Sequence, residues 1–173
     1  LRNLPFVEGA ENASTRIMNP IKNLSVEDNN GNWKFTPRIH YANEDFCKLI
    51  KLRLLAGKYH TRPGEIVVNP ELVELMDWTS DGIGEVIPNR GTVVGIVEFI
   101  EVNKTKTSPY WIHWPKNEEE TSCVHVRLKE PIDENLLRLN EEMKKLYPQE
   151  DILESLYGHP RHYLDGCHRL HQR

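Results

Sequence analysis

No stretch of this chain runs eighteen residues without a polar interruption, so no segment has the apolar length of a transmembrane helix. The opening LRNLPFVEGAEN lacks the apolar core of a secretory signal. Cysteine is scarce. Cys47, Cys123 and Cys167 are an odd number at wide spacing, which argues against a secreted disulfide framework. These absences predict an intracellular protein with no membrane partner. Common catalytic and nucleotide signatures are missing as well: no Gly-x-Ser-x-Gly, no His-Glu-x-x-His and no Gly-x-Gly-x-x-Gly. The loop from Asp81 to Gly91 has neither the spacing nor the Lys-Ser/Thr ending of a P-loop, and nothing in the pattern calls for a cofactor. Nor is there an excess of positive charge. Net charge is −4, so any anionic ligand has to be met by a local patch rather than by the whole molecule. One absence is local and points to such a patch. Between Asp45 and Glu65 there is no acidic residue, while that interval holds Lys48, Lys51, Arg53, Lys58 and Arg62, with His60 beside them.

What is present suits a single domain with appended segments. A chain of 173 residues buries about 70% of its unfolded surface and needs no metal or disulfide staple. Residues 1–32 are polar and Asn-rich and read as an irregular arm. Trp33 to Thr36 is a short strand ended by Pro37. Asn43 is placed to cap a helix with Glu44 and Asp45 in its first turn. Phe46, Leu49, Ile50 and Leu54 follow at helical spacing, which predicts a helix over 43–56 with Gly57 just past its end. Arg53 falls on that apolar face, so either the helix loosens there or Arg53 points inward to a polar site. Glu65 to Val68 is an apolar strand. Asn69 and Pro70 start a helix over 70–77. Thr92 to Val102 is the clearest strand, and Gly95 inside it marks a bend or bulge. Tyr110–Trp114 and Cys123–Leu128 are further strands. Asp133 is placed to cap a helix over 134–146, and a shorter helix is predicted over 150–157. The class is α+β, with a five- or six-stranded, partly closed barrel over residues 33–130 and a helical extension over 131–173.

Three groups of side chains carry possible chemistry. The first is the corner from Leu54 to Asn69, LLAGKYHTRPGEIVVN. Its Lys and Arg side chains are suited to phosphates, and an Arg also forks onto a base edge or a carboxylate. The second is Tyr110-Trp111-Ile112-His113-Trp114, where alternation puts Trp111 and His113 on one strand face and Tyr110 and Trp114 on the other. The third is the tail from His159 to His171, dense in His but without standard zinc spacing, which reads as solvated rather than metal-binding. Cys123 and His125 lie two apart on one strand and share a face; a core cysteine is the default there.

Leu55-Ala56-Gly57-Lys58, Thr61-Arg62 and Gly64-Glu65 before an apolar strand, with Gly91-Thr92-Val93-Val94-Gly95-Ile96-Val97-Glu98-Phe99 later, resemble the opening and the long strand of ASCH domains of the PUA-like superfamily. The resemblance covers residues 39–128. It implies a small β-barrel whose cleft binds DNA, RNA or a modified nucleoside. Lys58, Thr61 and Arg62 would line the site, His60 and Arg53 would lie near it, and Trp111 or Trp114 would stack on a base. Some small members of the class resemble amidohydrolases acting on acetylated cytidine through a Lys, a Thr three residues on, and a Glu. Lys58 and Thr61 match that spacing, with a Lys of burial-depressed basicity activating the Thr hydroxyl. The Glu is not assigned by spacing: Glu118 to Glu120, Glu98 and Glu101 are all candidates. The Glu that the family often carries two residues before the Arg is replaced by His60. The expectations are therefore nucleic-acid or nucleoside binding, a hydrolase on the same corner, or a protein-interaction module using the arm or the C-terminal helices. Whether the chain is an enzyme stays open.

Overall fold

The structure is a computed structural model that describes residues 1–14, 25–27, 32–78, 80–98, 108–115, 121, 123–148, 154–157 and 163–167, the last two segments as backbone only. The class is α+β. Its centre is a curled, half-barrel sheet of six strands in the order β4 (Arg38–Tyr41), β9 (Tyr110–His113), β6 (Glu65–Val68), β8 (Gly91–Glu98) and β5 (Arg53–Gly57), with β7 (Val86–Ile87) also paired to β8. A second, antiparallel sheet has the order β1 (Val7–Ala13), β10 (Cys123–Leu128), β12 (Tyr163–Cys167) and β11 (Glu154–Tyr157). A two-stranded ribbon joins β2 (Val26–Glu27) to β3 (Trp33–Phe35). The helices are α1 (Glu44–Leu49), α2 (Pro70–Leu75) and α3 (Ile132–Leu146).

Period-two alternation sorts the central sheet into two cores. β6 reads Glu-Ile-Val-Val and is buried throughout, as a strand flanked on both edges and both faces must be. Its Val67 packs with Val97, Ile112, the α1 residues Phe46 and Cys47, and Ile50 just past the helix. Ile66 and Val68 point the other way, to Leu72 of α2, Val93, Trp111 and Phe35 of the β2–β3 ribbon. The second sheet forms a third core with α3, where Leu139 and Met143 cover Val7, Ala10, Val126 and Leu128. The bulge expected at Gly95 is present: consecutive Ile66 and Val67 face Val93 and Gly95, leaving Val94 as the extra residue. A Cβ on Gly95 would run into the carbonyl oxygen of Lys58, so close backbone approach requires glycine there.

Several expectations are corrected. The helix predicted over 43–56 ends at Leu49, capped by Asn43 through its bond from the Phe46 amide (2.8 Å). The chain turns at Lys51 with φ 53° and continues as the strand β5. Leu54, Leu55 and Ala56 are good helix formers, but β8 offers them a hydrogen-bonded ladder, and tertiary pairing overrides propensity. Of the two alternatives for Arg53, the helix gives way: Arg53 lies exposed on β5. The arm over 1–32 contains the seven-residue strand β1, whose Val7, Ala10 and Ala13 are buried. The helix predicted over 150–157 is the strand β11 from Glu154, because β12 provides a partner. Residues 99–102 of the long strand lie outside the described residues. Asp133 is in the first turn of α3 rather than at its cap, which is Pro131.

The two sheets meet at a seam. Ala13 of β1 bridges to Ala42 just past β4. The Ser14 amide donates to the Tyr41 carbonyl (2.8 Å), and the Tyr41 amide donates to Ser14 Oγ (2.9 Å). Arg127 of β10 ties the second sheet to α1, with Nη1 donating to the Leu49 carbonyl (2.8 Å) and Nε to Glu8 (2.9 Å).

Asn69 joins three elements. Its Oδ1 accepts from the amides of Leu72 (3.3 Å) and Tyr110 (2.8 Å), and its Nδ2 donates to the Ser108 carbonyl (2.8 Å), all in the interior. Asn69→Ala removes the cap of α2 and strands buried backbone groups of β9, so we expect a loss of about 3–5 kcal/mol in chemical denaturation. Asn69→Asp keeps both acceptor bonds and is expected to cost less; equal losses in the two variants would contradict this account.

Candidate functional site at the Lys58–Glu65 corner

The corner is set by its two strands. β5 ends at Gly57, in the left-handed region at φ 71°, and the Lys58 amide then donates to the Val94 carbonyl (2.9 Å). Gly64, also left-handed at φ 85°, returns the chain to β6. The loop between them wraps one carboxylate. Glu65, with only 7% of its side chain exposed, accepts at Oε1 from Lys58 Nζ (2.9 Å) and Arg62 Nε (3.2 Å). At Oε2 it accepts from the Thr61 amide (2.9 Å) and Thr61 Oγ1 (3.2 Å). The Thr61 amide above all, then Lys58, hold this carboxyl down at about 2.

The structure thus brings Lys58, Thr61 and Arg62 together around Glu65, an acid outside the set that spacing offered. The signal was in view: Gly64-Glu65 opens the strand, and its acid lies four residues after Thr61 and seven after Lys58. Spacing alone cannot show that a tight loop folds those donors back onto it. Of the earlier candidates, Glu98 pairs instead with Arg53 (2.5 Å). Glu101 and Glu118 to Glu120 lie outside the described residues. The acid-free interval is consequently not a bare cationic patch. Lys48 pairs with Glu44 (2.7 Å), Arg53 with Glu98, and Lys58 and Arg62 with Glu65.

His60 faces inward. It is fully buried, its Nε2 lies 2.6 Å from the Ala42 carbonyl, and Trp114 meets the ring nearly edge-on at 5.9 Å between centroids. A carbonyl only accepts, so Nε2 carries the proton and Nδ1 is left without a partner. Burial pushes the imidazole below its ordinary range, against smaller opposing effects of the Ala42 bond, Glu65 and Glu44. Trp111 is fully buried in the core, with no face open to a base, whereas Trp114 is half-buried at the end of β9.

Chemically, the cluster is a clamp. Lys58 is 59% exposed and salt-bridged, which is the opposite of the buried, unpaired amine that a general base requires. A carboxylate held at about 2 is a weak proton acceptor for Thr61. The cysteines behave differently from expectation. Cys123 is disulfide-bonded, and its partner in strand register on β12 is Cys167. A Cys123–His125 nucleophile is therefore not available, and His125 packs edge-on to Phe46 at 4.8 Å. Cys47 is free, and burial with the nearby Glu44 charge pushes its thiol up to about 12, so it is inert. Among the described residues no group of three His, Cys, Asp or Glu side chains is arranged to hold a metal, and no helix is long and apolar enough to cross a membrane. Most of the His-rich tail lies outside the described residues.

No protein-family model and no curated protein matches the chain. Solved structures do. The periplasmic region of MacB from Actinobacillus actinomycetemcomitans is similar over 86% of this chain and 72% of its own, with a TM-score of 0.59 and 12% identity. The extracellular domain of the noncanonic ABC-type transporter YknZ from Gram-positive bacteria is similar over 82% of this chain and 80% of its own, with a TM-score of 0.53 and 12% identity. At that identity the likeness is one of fold.

Because Glu65 titrates lower in the folded chain than in the unfolded one, its stabilising contribution is complete above the ordinary carboxylate range and is lost as pH falls from about 4.5 toward about 2. Glu65→Gln should therefore be less stable than the parent at pH 7, and the gap should narrow below pH 4.5 in urea titrations. A gap that stays constant with pH would contradict the clamp.

Proposed function

We propose that this chain is an extracytoplasmic module of an ABC-type transporter, acting as a non-catalytic interaction domain. The fold carries this reading: it is shared, over most of both chains, with the periplasmic region of MacB and with the extracellular domain of YknZ, a noncanonic ABC-type transporter. Cys123 supports it independently. Its disulfide suits an oxidising compartment, in contrast to the intracellular expectation drawn from an odd cysteine count. The chemistry of the corner agrees, since Lys58, Thr61 and Arg62 spend their hydrogen bonds on Glu65, as a loop built for rigidity would.

The reading is tested in intact cells of the source organism. Protease added outside the cytoplasmic membrane should cut the segment while cytosolic markers survive. Antibody to it should recover a membrane complex with ATP-hydrolysing activity, and alkylation of the denatured segment should find Cys47 as its free thiol. Recovery from the cytosol with all three cysteines reactive would overturn it.

A second reading, nucleic-acid or modified-nucleoside binding by a PUA-like domain, has one observation in its favour. Lys58 and Arg62 stand 59% and 76% exposed on one loop, so a phosphate could compete with Glu65 for them. It predicts binding of single-stranded oligonucleotides that weakens about sevenfold between 50 and 200 mM salt for two phosphate contacts. The slope should be lost in a Lys58→Ala, Arg62→Ala double variant. Absence of binding at 50 mM salt would rule it out.

A further inference from the structure

We propose that His60 is an acid-sensitive latch on the seam between the two sheets, so that protonation of its ring frees the Ala13–Ala42 junction while each sheet stays folded. The geometry places the ring on Ala42, the residue of the central sheet that bridges to Ala13. Ala42 bridges to Ala13 of the second sheet, its amide donates to the His113 carbonyl of β9 (3.0 Å), and its carbonyl is taken by His60 Nε2 (2.6 Å). Ala13 and Ala42 are both fully buried, so a carbonyl released by His60 has no water to turn to.

The other ring nitrogen makes this bond conditional. Nδ1 is buried and lacks a partner, which a neutral ring tolerates because it is only an unused acceptor. Once protonated, Nδ1–H becomes a donor on a buried cation with nothing to receive it, and burying such a group costs far more. Two carboxylates face the ring and favour the cation, Glu65 of β6 and Glu44 of α1, but burial outweighs them. Glu65 is already engaged by Lys58, Arg62 and Thr61, and Glu44 by Lys48. On the remaining side stands the Trp114 ring, edge-on. An imidazolium therefore gains by swinging outward with the Lys58–Gly64 loop, which breaks the bond to Ala42. Each sheet keeps its own support: α2 and the Ile66–Trp111 core for the central one, α3 and the Val126–Leu139 core for the other. Local opening of one joint without global unfolding is the expected response.

Native-state hydrogen exchange at pH 7.5 and 5.5, corrected for intrinsic rates, tests this. A solvent-exposed histidine titrates near 6.5, so the opening equilibrium at the seam should rise by up to about tenfold over that interval. The Ser14 amide, which donates across the seam to Tyr41, should lose protection by that factor, while the β6 and β8 amides keep theirs. His60→Gln retains an N–H for Ala42 and does not titrate, so its seam should be indifferent to pH. His113, His40 and His125 also lie around this junction, and a pH response that persists in His60→Gln would assign the effect to them and overturn the proposal. Should His60→Gln fail to fold, the parent protein still decides: parallel loss of protection at the seam and in β6 and β8 would mean global acid unfolding and no latch.

Discussion

The fold hangs on a fully bonded amide in the interior. Asn69 caps α2, holds the Tyr110 amide of β9 and takes up the Ser108 carbonyl, so every hydrogen-bonding group it buries has a partner. Parallel pairing of β6 with β8 needs a crossover, and the chain supplies it with a six-residue helix launched directly from the end of β6. Without a fixed launch angle, so short a helix would have little to hold it over the sheet. Asn69 fixes that angle against β9, the strand on the other edge of β6, and so ties β6, α2 and β9 together.

Glu65 sits at the opposite end of the same four-residue strand, and the corner inherits its geometry from there. The buried strand places the carboxylate, and the Gly57 and Gly64 turns bring Lys58, Thr61 and Arg62 onto it. The outcome is a loop whose basic residues serve the fold first. Their charges remain near the surface, but each has an acid within reach, which lowers the local potential that a bare count of lysines and arginines would imply. The Val94 bulge and Gly95 belong to the same arrangement, because the Lys58 carbonyl occupies the space a side chain would need.

Among the described residues the second sheet is attached through polar as well as apolar contacts. A pair of bonds between Ser14 and Tyr41, the Ala13–Ala42 bridge and the Arg127 bond to the Leu49 carbonyl span the seam. Cys123 lies in the same row, opposite Ala13 on one side and Cys167 on the other. The covalent tie and the sheet junction therefore fall at one level of the structure.

Much of the fold was legible in the residues themselves. The α+β class, the strands at 65–68, 110–113 and 123–128, the Asn69-Pro70 helix start and the bulge at Gly95 follow from β-branched runs, capping chemistry and a misplaced glycine, all of which act over a few residues. Even the failure of the first helix was signalled by Arg53 on an apolar face. Tertiary structure decided what depends on partners far along the chain. Leu54 to Ala56 became a strand because β8 was there to pair with, and the segments at 7–13 and 154–157 became strands because β10 and β12 were. The corner divides in the same way. Sequence determined that Lys58, Thr61 and Arg62 would crowd one loop, since they are neighbours. Only the folded chain decided that Glu65 would satisfy them, that His60 would turn inward to Ala42, and that Trp111 would be spent on the core, because burial and hydrogen-bond partners are properties of three-dimensional neighbours.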